Sequence, residues 1–83
     1  MPDADLSKAF AVVLKNRREQ MRFSQEMLAE KADLHPTYIS MLERSVRNPT
    51  LGAAQAIARA FGLKLSELIA EAERIQRKPS RPY

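Results

Sequence analysis

The amino-acid sequence predicts an all-α fold made of five short helices. Apolar residues recur at intervals of three and four along almost the whole chain of 83 residues, and no segment alternates as a β-strand does. Turn-forming residues interrupt these apolar stripes, so the connections are short. The predicted helices span about residues 6–20, 25–32, 36–44, 51–61 and 66–77, in a single domain of residues 1–78. We expect residues 79–83 to form a disordered tail.

Residue types that cap helices set the predicted starts of the first three helices. Asp5 precedes the first apolar stripe, and Ser24 precedes the second, with Glu26 favourably placed in the first turn. Proline fits the first turn of a helix but not its interior. Pro36 therefore forces a break after Ala32 and begins the third helix.

The last two helices carry comparable signals at their ends. Thr50 caps the fourth helix, and Gly62 ends it because glycine adopts the left-handed conformation without strain. Ser66 is the predicted cap of the fifth helix. That helix has Glu67 in its first turn and basic residues near its end, which is the order that suits the helix dipole.

The size and composition of the chain exclude several classes of function. With no cysteine and one histidine, it can form neither a disulfide nor, on its own, a zinc site, and we expect no metal, cofactor or small-molecule ligand. No Ser-His-Asp or Cys-His arrangement and no glycine-rich phosphate loop is present. The sequence therefore predicts a protein with no catalytic residues, which is not an enzyme.

The charge balance favours a polyanionic partner. Fourteen lysines and arginines against ten aspartates and glutamates give a net charge of +4 and a pI near 9.9. No apolar run approaches the roughly 20 residues that span a bilayer, and the acidic start of the chain lacks the apolar core of a signal peptide. We therefore expect no membrane partner and a cytoplasmic, nucleoid-associated protein.

The second and third predicted helices have the layout of a helix-turn-helix, in which a break of three to four residues joins two short helices. The residues that match at fixed spacing are Ser24, Gln25, Leu28, Ala29, Ala32, Ile39, Leu42, Glu43, Asn48 and Pro49. Through them the chain resembles the phage-repressor (Cro/Xre) helix-turn-helix family over about residues 7–70. The resemblance implies a repressor-like domain that acts as a homodimeric transcriptional regulator on a near-palindromic operator in double-stranded DNA.

The third predicted helix is the candidate for the major groove, which admits an α-helix. The resemblance places Pro36, Thr37 and Met41 at base-contacting positions, and Ser40 is also exposed. The hydroxyls of Thr37 and Ser40 can form hydrogen bonds, whereas Met41 offers only apolar contact. Pro36 stands where arginine or glutamine is commoner in the family. This leaves the shape of the DNA, or the arginines after the helix, as further sources of specificity.

Contacts with the DNA backbone are predicted for Ser24, Gln25, His35, Arg44, Arg47 and Asn48. The amide of Gln25 and the free N–H groups beside it can bind a phosphate, as the resemblance also implies, with helix capping as the alternative. His35 either caps the third helix or donates to a phosphate. Arg44, Arg47 and Asn48 follow the third helix, and the alternative for them is a solvated loop.

The resemblance also implies a structural ion pair between Arg18 and Glu43. Such a bidentate, partly buried pair would fix the angle between the first and third helices. Asp33 and Ser45 stand where the family commonly has glycine. Aspartate tolerates the left-handed conformation better than most residues, so we expect these changes to affect turn geometry and not the fold.

The fifth helix predicts a homodimer, because its apolar stripe is longer than the core of a small domain needs. The predicted interface consists of Leu65, Leu68, Ile69, Ala72 and Ile75. The alternative is that the whole stripe covers the fourth helix.

An alternative function is a protein-interaction module or antitoxin-type partner protein, with weak or partner-dependent DNA binding. Residues 24–50 carry three basic and four acidic groups, a net charge of −1. The apolar character of Pro36 and Met41 would also suit a protein surface.

Overall fold

The computed structural model describes residues 2–77, with side chains from residue 6 to residue 76, and that range contains five α-helices and no β-strand. In chain order the helices are α1 (Pro2–Gln20), α2 (Gln25–Ala32), α3 (Pro36–Glu43), α4 (Leu51–Ala60) and α5 (Leu65–Arg77). The predicted all-α fold class is confirmed. The predicted tail, residues 79–83, lies outside the described residues.

One hydrophobic core joins the five helices. α1 packs against α5, and α2 packs against both α3 and α4. The largest side chains with essentially no exposed surface are Leu14, Leu28, Ile39, Leu42, Ile57 and Leu68. Burying a side chain of this size contributes roughly 1.5–3 kcal/mol relative to leaving it exposed. Because Ile39 and Leu42 hold α3 from one side, its opposite face is left toward solvent.

Two helix starts differ from the prediction. α1 begins at Pro2 and not after Asp5, because the fixed φ of proline suits the first position of a helix. α5 begins one residue before Ser66, so Ser66 lies in the first turn and does not cap it. The Glu67 carboxylate instead accepts the backbone N–H of Lys64 at 2.8 Å, which satisfies a donor at the start of α5.

The predicted caps of α2 and α4 are confirmed. Ser24 Oγ accepts the backbone N–H of Met27 at 3.0 Å, and Thr50 Oγ1 accepts that of Ala53 at 3.0 Å. Both bonds satisfy N–H groups that have no partner inside the helix.

α3 and α4 each end one residue before the predicted limit.

Four helices end in the same backbone arrangement, in which one residue adopts the left-handed conformation. These residues are Arg22, Asp33, Ser45 and Gly62, with φ angles of 59°, 58°, 60° and 77°. In each case the following N–H bonds to a carbonyl five residues back, as Leu63 does to Ala58 at 2.8 Å. Asp33 and Ser45 therefore keep a turn geometry that glycine adopts more easily.

Replacing each of the two glycines with alanine should change stability in opposite directions. Gly62 has a φ of 77°, so alanine there should lower the free energy of unfolding by about 1 kcal/mol. Gly52 is the second residue of α4, where alanine should raise the free energy of unfolding by about 0.5 kcal/mol. A Cβ at either position meets no atom within 4 Å, so packing does not confound the comparison. Urea denaturation measures both changes, and two changes of the same sign would contradict this account.

Candidate functional site

The exposed side of α3 carries the four residues predicted to contact bases. Thr37 is exposed, and Pro36, Ser40 and Met41 are partly exposed, while Ile39 is buried on the other side of the helix. Pro36 lies in the first turn of α3, where its missing N–H leaves no helix bond unmade. α3 thus presents a short face made of a proline ring, two hydroxyls and a thioether.

His35 caps α3. Its Nδ1 accepts the backbone N–H of Thr37 at 3.1 Å. A neutral imidazole that accepts at Nδ1 carries its hydrogen on Nε2. Because His35 is exposed, this second nitrogen can still donate to an outside group, so the two predicted roles of His35 are compatible.

The Arg18 guanidinium joins α1 to the end of α3. Its Nε and Nη2 donate to the two carboxylate oxygens of Glu43 at 2.6 and 3.1 Å, and its Nη1 donates to the carbonyl of Phe23 at 2.8 Å. The side chains of Arg18 and Glu43 are 13% and 4% exposed. The hydrogen bonds to Glu43 raise the pKa of the Arg18 guanidinium above its ordinary value, against the opposing effect of burial. The arginine therefore keeps its charge beside the carboxylate.

Gln25, the first residue of α2, belongs to the same network. Its Nε2 donates to Oε1 of Glu43 at 3.0 Å, a contact that the sequence did not predict. A side-chain amide has two hydrogens, so a second donor remains on this nitrogen. The start of α2 is thereby tied to the end of α3, next to the exposed Ser24.

Three exposed polar residues follow α3, and they are Arg44, Arg47 and Asn48. The Nε–H of Arg44 donates to Ser40 Oγ at 3.3 Å, which places this arginine along α3. The guanidinium carbon of Arg47 lies 5.6 Å from the centroid of the Tyr38 ring. Contacts of this kind contribute about 0.5–1 kcal/mol at exposed sites.

Tyr38 was not among the predicted site residues, and it supports the segment after α3 at two points. Besides the contact with Arg47, its phenol oxygen accepts the backbone N–H of Thr50 at 3.3 Å. The ring is partly buried against the core. Nothing in the local pattern marked this residue, because its partners lie 9 and 12 positions later in the chain.

Two of the five residues predicted for a dimer interface are not available to a partner. Leu68 and Ala72 have no exposed surface because they pack into the core of the domain, so the prediction is wrong for them. Leu65 and Ile69 are partly buried against the same core, and Ile75 is 38% exposed. The apolar stripe of α5 therefore serves first to close its own domain.

A groove between α1 and α5 lies apart from the predicted DNA-facing residues. It is lined by Val13, Asn16, Arg17, Gln20, Glu71, Arg74 and Ile75. Arg17 and Glu71 form an ion pair across it, and their side chains are 29% and 24% exposed.

Two further properties concern the part of the chain that the structure describes. None of the helices in residues 2–77 combines the length and apolar character needed to cross a membrane. The same residues contain no group of three or more acidic, histidine or cysteine side chains able to hold a metal ion.

One family and several known proteins are similar to this chain. The sequence model of a family described as "Helix-turn-helix" matches residues 14–68, a segment that includes α2, α3 and α4 entirely. The control protein C.SmaI of Serratia marcescens is 36% identical over 74 residues, which cover 83% of this chain and 88% of that protein. The wild-type restriction-modification controller protein C.Esp1396I has a crystal structure with a TM-score of 0.72 and 30% identity, covering 82% of this chain and 92% of that one.

A longer relative matches over part of its length. The immunity repressor protein of Bacillus phage phi105 is 36% identical over 58 residues, which cover 70% of this chain and 40% of the repressor. The match therefore spans less than half of that relative.

Arg18→Ala should destabilise the fold much more than Arg17→Ala, although the two arginines are neighbours on α1. Arg18 lies in a nearly buried pair, and removing one partner of such a pair lowers the free energy of unfolding by about 3–5 kcal/mol. The pair made by Arg17 is more exposed and should contribute less than about 1 kcal/mol. Chemical denaturation of both variants measures the difference. Equal losses would show that the Arg18 pair has no special structural role.

Proposed function

This chain belongs to the helix-turn-helix family of DNA-binding transcriptional regulators, and we propose that it acts as a homodimer on a near-palindromic operator. Each subunit would place α3 in the major groove of one half-site, where Pro36, Thr37, Ser40 and Met41 meet base edges. The two helices of a dimer would then lie one turn of DNA apart, about 34 Å. Such a regulator would work in the cytoplasm, at the nucleoid.

The burial of Glu43 in an ion pair is the observation that carries the DNA-binding part of this proposal. By sequence, residues 24–50 contain four acidic groups against three basic ones. The side chain of Glu43 is only 4% exposed, however, and it is paired with Arg18, which lies outside that segment. The other charges balance at three each, and Arg44 and Arg47 are exposed next to α3. A phosphate backbone beside these arginines would meet no exposed carboxylate of α3, which weakens the charge argument for a protein-interaction module.

The residues proposed to contact the DNA backbone surround the exposed face of α3. Gln25 is oriented by Glu43 and keeps an amide hydrogen at the start of α2, where free N–H groups and the helix dipole favour an anion. His35 can donate from Nε2, and the hydroxyl hydrogen of Ser24 can serve a phosphate as well. The loop after α3 adds Arg44, Arg47 and Asn48.

The proposed dimer uses the part of the α5 stripe that the core leaves exposed. Ile75 offers the largest such surface, and Leu65 and Ile69 lie partly exposed on the same helix. A domain of this size buries a smaller fraction of its unfolded surface than a larger domain does, so pairing would add to its stability.

Binding selection tests the proposed function. The purified chain is incubated with random duplexes of roughly 30 bp at about 150 mM salt, and the retained DNA is sequenced; we expect a near-palindrome with half-sites about 10 bp apart. Affinity should fall roughly a thousandfold between about 50 and 200 mM salt if 6–10 phosphates are contacted. Retention without an enriched motif would contradict specific binding. No retention would favour the protein-interaction module.

Ile75→Lys should weaken the dimer, and Val12→Lys should not. Both residues are apolar, and Ile75 is 38% exposed and Val12 46% exposed, but only Ile75 lies on α5. Placing a charge in an apolar interface should raise the dimer dissociation constant about tenfold or more. Sedimentation equilibrium measures that constant. Equal dissociation constants for the two variants would place the interface elsewhere.

A further inference from the structure

The exposed face of α3 lacks the groups that usually distinguish bases. Adenine and guanine are recognised by paired hydrogen bonds from amide or guanidinium groups. No side chain of α3 carries either group. Its single charged residue, Glu43, is held by Arg18, and its one phenol, on Tyr38, accepts the backbone N–H of Thr50.

The two hydroxyls on this face discriminate weakly. Ser40 Oγ already accepts the Nε–H of Arg44 at 3.3 Å, and a single serine or threonine hydroxyl can bond to any of the bases. The rest of the face is carbon and sulfur: the ring of Pro36, the γ-methyl of Thr37 and the thioether of Met41. Arg44 follows α3 and is proposed to contact the DNA backbone, so the capacity of the α3 side chains themselves to discriminate lies in apolar contact.

We infer that α3 recognises its operator mainly through the 5-methyl groups of thymine. Thymine is the base that presents a methyl group in the major groove, and apolar side chains are its natural partners. This inference rests on the proposed function and names its substrate class, half-sites in which T·A pairs face α3. Loss of one contacting methyl weakens binding about fourfold, so loss of two or three gives about 15- to 60-fold.

Replacement of thymine by deoxyuridine tests the inference, because it removes the methyl and keeps every base-pairing group. Two random duplex pools, one made with thymine and one with uracil, are selected in parallel. The enriched thymine operator is then remade with uracil at the pairs facing α3 or, as a control, only between the half-sites. We expect an enriched motif in the thymine pool alone. Uracil at the pairs facing α3 should weaken binding about 15- to 60-fold, and uracil between the half-sites should leave the affinity unchanged.

Two variants of Thr37 separate its methyl from its hydroxyl. Thr37→Ser removes the methyl group, and Thr37→Val keeps the methyl group and replaces the hydroxyl with a second methyl. Thr37→Ser should lower the thymine-to-uracil affinity ratio about fourfold, while Thr37→Val should keep that ratio. Thr37 is exposed, so both variants are expected to fold, and thermal melting checks this.

The outcomes distinguish this inference from the function on which it rests. Equal affinity for thymine and uracil operators would overturn the inference and leave specific DNA binding intact. The same holds for a thymine-to-uracil affinity ratio that falls in Thr37→Val and is unchanged in Thr37→Ser. The absence of an enriched motif from the thymine pool would overturn both.

Discussion

The ion pair between Arg18 and Glu43 is the interaction on which the arrangement of the proposed DNA-binding face depends. α3 has eight residues, and a helix of that length is not stable alone in water. Ile39 and Leu42 are buried in the core and the Tyr38 ring packs partly against it, but apolar packing sets the rotation and tilt of a helix less specifically than a bidentate hydrogen-bonded pair does. The bidentate pair fixes the end of α3 against α1, and Gln25 ties α2 to the same carboxylate.

The same pair shapes the charge of that face. A carboxylate near a phosphate backbone would repel it, and Arg18 neutralises the one that α3 carries. Positive charge is concentrated instead on the residues after α3, where it can attract DNA of any sequence. In the proposed complex, the uncharged face of α3 would then distinguish bases. Attraction to DNA and discrimination between bases would thus belong to neighbouring but separate groups of residues.

Features determined by a few adjacent residues were predictable from the sequence. Ser24, Thr50 and Gly62 act where their types and positions suggested, because caps and left-handed ends depend on backbone groups within five residues. Ser66 does not cap α5 because the helix already begins at Leu65, where the Glu67 carboxylate accepts the backbone N–H of Lys64, two positions before Ser66. Local signals thus located the helices and left a choice between neighbouring starts.

Contacts between distant residues were not predictable from pattern. Gln25 and Glu43 are 18 positions apart, and their side-chain hydrogen bond depends on how α2 and α3 cross. Leu68 and Ala72 were recognised as apolar, but periodicity does not tell which neighbour covers a stripe. The most direct test of the central role of Arg18 and Glu43 is a double-mutant cycle with methionine at both positions, measured in unfolding and in operator binding. We expect a coupling energy of about 2–3 kcal/mol in unfolding, and a stable double variant that binds DNA about fivefold more weakly because Gln25 is released. Additive effects on stability, or wild-type affinity in the double variant, would contradict this role of the pair.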